Sequence, residues 1–147
     1  GNSKEPGSLS ILKKIYTKEA DEKVREHIVF AMHLEEDDEA VKEIIRIAKT
    51  DGSRQVRKQA VFWLGQKATK ESIGALKDFV KGDEDTELKK QAIFALTQTK
   101  DKEAEDMLFD IAQNNKNPQL PKVAMFWLGE MNSDRALELY EKILLKK

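Results

Sequence analysis

His27 and His33 are the only histidines in the chain and its scarcest catalytic side chains. A metal site or a general base would need them close to each other or to acids. They lie six residues apart. On a helix that spacing turns them about 120° from one another over nearly two turns, which suits neither chelation nor a shared proton. Paired carboxylates, such as Asp37-Asp38 and Glu84-Asp85, are the other acid–base groups. Most stand just ahead of apolar-periodic segments, where a carboxylate caps a helix and meets its N-terminal dipole. Capping is therefore their expected role. The chain has no cysteine, so thiolate nucleophiles, thiolate ligands and disulfides are excluded. No glycine-rich phosphate loop occurs, and Gly65 and Gly129 stand singly near expected helix ends, as C-cap signals. These residues predict no enzyme, no metal and no cofactor.

The elements that position these side chains recur every 32 residues. Val24-Arg25, Val56-Arg57, Leu88-Lys89 and Leu120-Pro121 are equivalent pairs, followed six residues on by Phe30, Phe62, Phe94 and Phe126. Met32, Leu64, Leu96 and Leu128 come two residues after each Phe. A fixed period without insertions predicts a stack of similar supersecondary units. Each unit carries two helical patterns. Val56, Ala60, Trp63 and Leu64 share one face of a first helix, with Lys67 at its end reaching for water. Second helices place Ala40, Val41, Ile44, Ile47 and Ala48 on one face, then Ser72, Ile73, Leu76, Phe79 and Val80. Ala104, Glu105, Leu108, Ile111 and Ala112 follow, then Ala136, Leu137, Tyr140, Ile143 and Leu144. Glu105 is the one charged break in these columns.

Helix starts repeat as well. Asp21, Ser53, Asp85 and Asn117 precede the first helices, and Asp37, Thr69, Asp101 and Ser133 precede the second. All are good N-caps, and Pro118 suits the first helical position. The pattern predicts helices over 8–17, 22–33, 38–49, 54–66, 70–81, 86–98, 102–113, 118–130 and 134–146. The expected organisation is a disordered segment over 1–7 and one domain over 8–147. That domain divides into a half repeat, 8–23, and full repeats 24–55, 56–87, 88–119 and 120–147. Gly1 in place of Met reads as a processed start.

The units resemble short HEAT-type repeats, also called PBS-lyase HEAT-like repeats, over about residues 8–147. The resemblance rests on Val56, Arg57, Ala60, Leu64 and Gly65, and on Leu120, Ala124, Leu128 and Gly129. It also rests on an acidic loop residue with a basic one six positions later: Glu19 with Arg25, Asp51 with Arg57, Asp83 with Lys89. Asn115 and Pro121 break that ladder in the last unit. The resemblance implies an all-α fold, an α-α superhelix forming a right-handed solenoid of antiparallel helix pairs. First helices would form its convex layer and second helices its concave one. Some HEAT-repeat oxygenases bind iron through His-Glu pairs. Here Glu26-His27 runs in the opposite order and has no counterpart in other units, so that activity is not expected.

Formal net charge is −1, from 26 basic and 27 acidic side chains. That balance argues against a general nucleic-acid binder. No apolar run approaches the roughly 20 residues that span a bilayer. The Phe column reads either as an exposed stripe or as packing between neighbouring first helices; packing is preferred, because a stack buries the flanks of interior helices. The large-small alternation of Trp63 and Trp127 with Ala31 and Ala95 fits core filling.

What remains is a ridge along the second helices, facing away from the core. It carries Lys14, Lys42, Arg46 and Lys49, then Asp78 and Lys81, then Asp106, Phe109 and Asp110, and finally Glu138 and Lys142. The ridge runs from basic to acidic. An apolar group beside an acidic pair suits a protein or peptide partner with a basic residue and an apolar anchor. The competing reading is ordinary solvated surface with Phe109 tucked between adjacent second helices. The expected function is a non-catalytic scaffold or adaptor binding a partner in the concave groove. Alternatives are a structural spacer of a larger protein and an accessory subunit of a lyase-type enzyme. Leu139 and Leu145 add apolar surface to the last helix, which predicts either that the native protein continues or that this face pairs with another molecule, with a weak homodimer as the testable form.

Overall fold

The computed structural model describes residues 7–82, 85–114, 116–131 and 133–145. Every regular element among them is a helix. A half unit, α1 (Gly7–Lys18), precedes the pairs α2 (Glu22–His33) with α3 (Asp38–Thr50) and α4 (Arg54–Lys67) with α5 (Lys70–Lys81). The pairs α6 (Thr86–Thr99) with α7 (Lys102–Asn114) and α8 (Gln119–Glu130) with α9 (Asp134–Leu145) follow. Each bound lies within one residue of its sequence expectation, except that the end expected at residue 146 falls outside the described residues. The first helix already begins at Gly7, inside the segment expected to be disordered; residues 1–6 lie outside the description.

The caps explain this agreement. All eight expected N-cap side chains accept a first-turn backbone N–H: Asp21 from Lys23, Asp37 from Glu39, Ser53 from Val56 and Thr69 from Ser72. Asp85 accepts from Leu88, Asp101 from Glu103, Asn117 from Gln119 and Ser133 from Ala136. At the C-terminal ends the glycines play another part than expected. Ala68 and Lys100 take the left-handed conformation after α4 and α6, at φ 51° and 59°. Gly65 and Gly129 lie within α4 and α8 with no positive φ. A Cβ on Gly65 would stand 2.8 Å from the Ala95 Cβ and 2.9 Å from its carbonyl oxygen. Gly65 therefore permits close approach of α4 and α6, and Gly129 lies against the Tyr140 ring.

One continuous core runs the length of the stack. Val56, Ala60, Leu64, Leu88, Ala92, Leu96, Leu120, Ala124 and Leu128 are buried at their repeating positions. The first helices α2, α4, α6 and α8 pack side by side, and the second helices α3, α5 and α7 each pack against the first helix that follows. The chain is an all-α repeat solenoid. Second helices touch one another far less than first helices do. No described helix is long and apolar enough to cross a membrane.

Two deviations have local causes. Val24 is exposed, whereas its equivalents Val56 and Leu88 are buried, because only α1 packs ahead of α2. In the last unit Leu137 and Leu144 are 48% and 47% exposed, although their column was expected in the core. Their equivalents Val41 and Ala48 are covered by the next helix pair. Leu139, expected on the outer surface, is buried instead, and Leu145 is 86% exposed.

Candidate functional site

The polar side chains form cross-repeat links before they form any site. Asp51 is buried, and its carboxylate accepts from the Arg25 guanidinium at 2.9 and 3.1 Å, from the Tyr16 hydroxyl and from the Ser53 backbone N–H. Arg57, six residues after Asp51, donates instead to the Asp51 backbone oxygen. Arg25 likewise donates to the Glu19 and Ala20 carbonyls. The Arg25–Asp51 carboxylate link therefore lies within one repeat, and the bonds of Arg25 and Arg57 to backbone oxygens cross to the preceding repeat. Its members Asp83 and Asn115 lie outside the described residues. Burial pushes the Asp51 carboxyl up, but the bonds from Arg25, Tyr16 and Ser53 outweigh it and hold it below the usual range. Tyr16 is pushed up, first by burial and then by its bond to Asp51.

Other links span about one repeat. Lys67 donates to the Glu35 carbonyl at 2.7 Å, so its head is not in water as expected. Glu105, the charged break in the second-helix column, accepts from the Ser133 hydroxyl and from Arg135. Arg135 also pairs with Asp106. The histidines hold no common site: His27 is exposed, while the His33 ring stacks on Trp63 at 4.2 Å. No group of three or more metal-ligating side chains occurs among the described residues.

The expected ridge residues Lys14, Lys42, Arg46, Lys49, Asp78, Lys81, Asp106, Asp110, Glu138 and Lys142 are all exposed. They do not form one patch. Lys42 and Arg46 pair with Glu39 and Glu43 one turn back on their own helix, and Arg46 lies over the Tyr16 ring. Lys14 borders a depression between α1 and α3 that also holds Asp37 and Glu39. Lys81, Asp106 and Asp110 do come together, where α5 and α7 separate into an open cleft of about 480 Å³. Met107 supplies its apolar lining, and the Lys77–Glu103 ion pair spans it. Phe109 is half-buried and packs against the core.

Sequence reasoning did not single out Lys77 and Glu103, since neither column is distinctive. The Phe column lies on a second surface, the first-helix face. The first helices carry a chain of ring contacts, from Phe30 to Trp63 at 5.1 Å, Trp63 to Phe62 at 4.8 Å and Phe62 to Phe94 at 6.4 Å. It continues from Phe94 to Trp127 at 5.1 Å and Trp127 to Phe126 at 4.9 Å. Phe62 and Phe94 are half-buried in this chain, as the packing reading expects; its ends, Phe30 and Phe126, are exposed.

No curated protein matches the sequence. A family model for HEAT repeats matches residues 39–117, from α3 to the loop before α8. That span exceeds half of the chain and covers the central helices α4 to α7 of the stack, so the protein belongs to the HEAT-repeat family.

Proposed function

We propose that the protein is a non-catalytic scaffold that holds a protein or peptide segment across its second-helix face. HEAT repeats commonly mediate protein–protein interaction. The observation that supports this reading best is the α5–α7 cleft. It is open, lined by Met107, and walled by Lys81 on one side and by Asp106 and Asp110 on the other. An extended segment with a basic residue and an apolar neighbour suits that lining. The basic positions Lys14, Lys42, Arg46 and Lys49 at the other end would favour an acidic stretch and so fix the segment's direction.

The test is binding of a partner isolated by affinity capture and then purified. Lys81→Glu with Asp106→Lys and Asp110→Lys should weaken it by about tenfold or more, which corresponds to roughly 1.4 kcal/mol. Rising salt should weaken wild-type binding, because exposed charges are screened beyond about 10 Å at 0.1 M. Unchanged affinity in the triple variant would reject the cleft.

The C-terminal helix supports a second proposal, a weak homodimer. Leu137 and Leu144 on α9 expose apolar surface whose equivalents Val41, Ala48 and Val80 are buried, and Leu145 adds a further exposed apolar side chain beside them. Pairing of two α9 helices would cover it, with Glu141 and Lys142 at its border. Sedimentation at rising protein concentration should show a dimer that Leu137→Glu with Leu144→Glu abolishes. Leu139 is buried and unsuited to that test. A wild-type chain that stays monomeric throughout would end this proposal.

A further inference from the structure

The first-helix face carries a feature that the second-helix reading does not use. Lys58, Lys90 and Lys122 are equivalent residues of three successive repeats. They border a groove of about 400 Å³ between α6 and α8, with Phe94, Phe126 and Trp127 as its apolar part. Phe126 is 58% exposed there. Glu87 is the one acidic side chain in the lining, and it pairs with Lys90 at 3.4 Å. The groove therefore has a net positive charge beside an exposed aromatic ring, in a chain whose overall charge is −1.

We infer that this groove binds an acidic peptide segment that inserts an aromatic or aliphatic side chain beside Phe126. Two observations choose the occupant. Opposite charge selects an acidic ligand, and Lys58 and Lys122 stand on either side of the Lys90–Glu87 pair to meet it. Ring geometry favours a side chain over nucleic-acid bases. Trp127 meets Phe126 edge-on at 79° and Phe94 at 47°, so the rings enclose a cleft and do not present parallel platforms. Strand binding needs such platforms together with a longer basic track. Valine at position 123, where other units have His27, Gln59 and Gln91, makes this stretch of the face more apolar.

The probe is a short fluorescein-labelled peptide of Asp, Glu and Ser with one central Phe, titrated into the full chain and followed by anisotropy and by amide and indole N–H shifts. Shifts should centre on α6, α8 and the Trp127 indole. Phe126→Ala, and separately Lys58→Glu with Lys122→Glu, should each weaken binding by about tenfold or more. Asp106→Lys on the second-helix face should not weaken it, which keeps this result distinct from that of the α5–α7 cleft. Phe126 and Lys122 are exposed, so these variants should retain the fold, as circular dichroism would verify. Equal binding of a peptide with Asn and Gln in place of its acids would overturn the proposal. So would shifts centred elsewhere, or tighter binding of an oligothymidylate at this face.

Discussion

Asp51→Ala should destabilise the protein by about 3 kcal/mol in urea denaturation, within the range for stripping one partner from a buried ion pair. The carboxylate is buried and serves the Arg25 guanidinium, the Tyr16 hydroxyl and the Ser53 N–H together. Alanine leaves all three donors without that acceptor, and two of them belong to the preceding helices. A solenoid is held together by neighbour interfaces, so the loss should appear first as fraying of α1 and α2 in hydrogen exchange. The same carboxylate sets an acid limb. Its folded pKa is depressed, so its contribution is complete well above the unfolded value of about 3.9. The contribution disappears as pH falls through the lower folded value. Asp51→Asn should therefore flatten the loss of stability below about pH 4 and leave the pH 6–8 region parallel to wild type. A variant as stable as wild type, or as acid-sensitive, would show that the link contributes little.

Gly65→Ala should cost about 2 kcal/mol net. Overpacking typically costs 1–3 kcal/mol, and here the obstacle includes the Ala95 backbone, which cannot rotate aside. Better helix propensity offsets about 1 kcal/mol. Adding Ala95→Gly should recover part of the loss by removing one of the clashing groups. Gly74→Ala is the control: nothing lies within 4 Å of its Cβ position, so it should stabilise the chain slightly. The opposite signs at two helical glycines, read as shifts in melting temperature, distinguish close packing from propensity. Equal shifts would remove the close-approach account.

Much of the architecture was legible because it depends on local chemistry. Asp, Ser, Thr and Asn caps bind their own first turns, so Asp21 or Thr69 marks a helix start without reference to the rest of the fold. The 32-residue period then assembles the helices into pairs. What sequence alone misjudged depends on neighbours. Leu137 repeats Val41 in type and position, yet it is exposed because no described helix pair covers it. Gly65 reads as a cap from its place near a helix end, whereas its cause is Ala95 on the next first helix. Asp51 was matched with Arg57 by spacing, but its carboxylate turns back to Arg25.

The candidate surfaces divide in the same way. Exposure of the ridge was legible from periodicity, because charged residues occupy the face opposite the apolar columns. The α5–α7 cleft was not legible, because the separation of two helices is set by packing angles that a repeating pattern does not encode. Met107 and Phe109, two positions apart, are both partly buried against the core, but only Met107 also lines the cleft. Such a step turns a helix by about 200°, so which of the two reaches the cleft depends on where the neighbouring helix lies and not on the repeat pattern.

The central claim is that the second-helix cleft carries a protein partner. It is tested most directly by quantitative affinity capture, comparing wild type with the Lys81→Glu, Asp106→Lys, Asp110→Lys variant and following each captured protein into a binding titration. The account predicts at least one stoichiometric partner that is purified, binds the wild-type chain directly, and is lost by about tenfold or more from the variant. Equal retention of every captured protein by the two chains, or none retained by wild type, would contradict it.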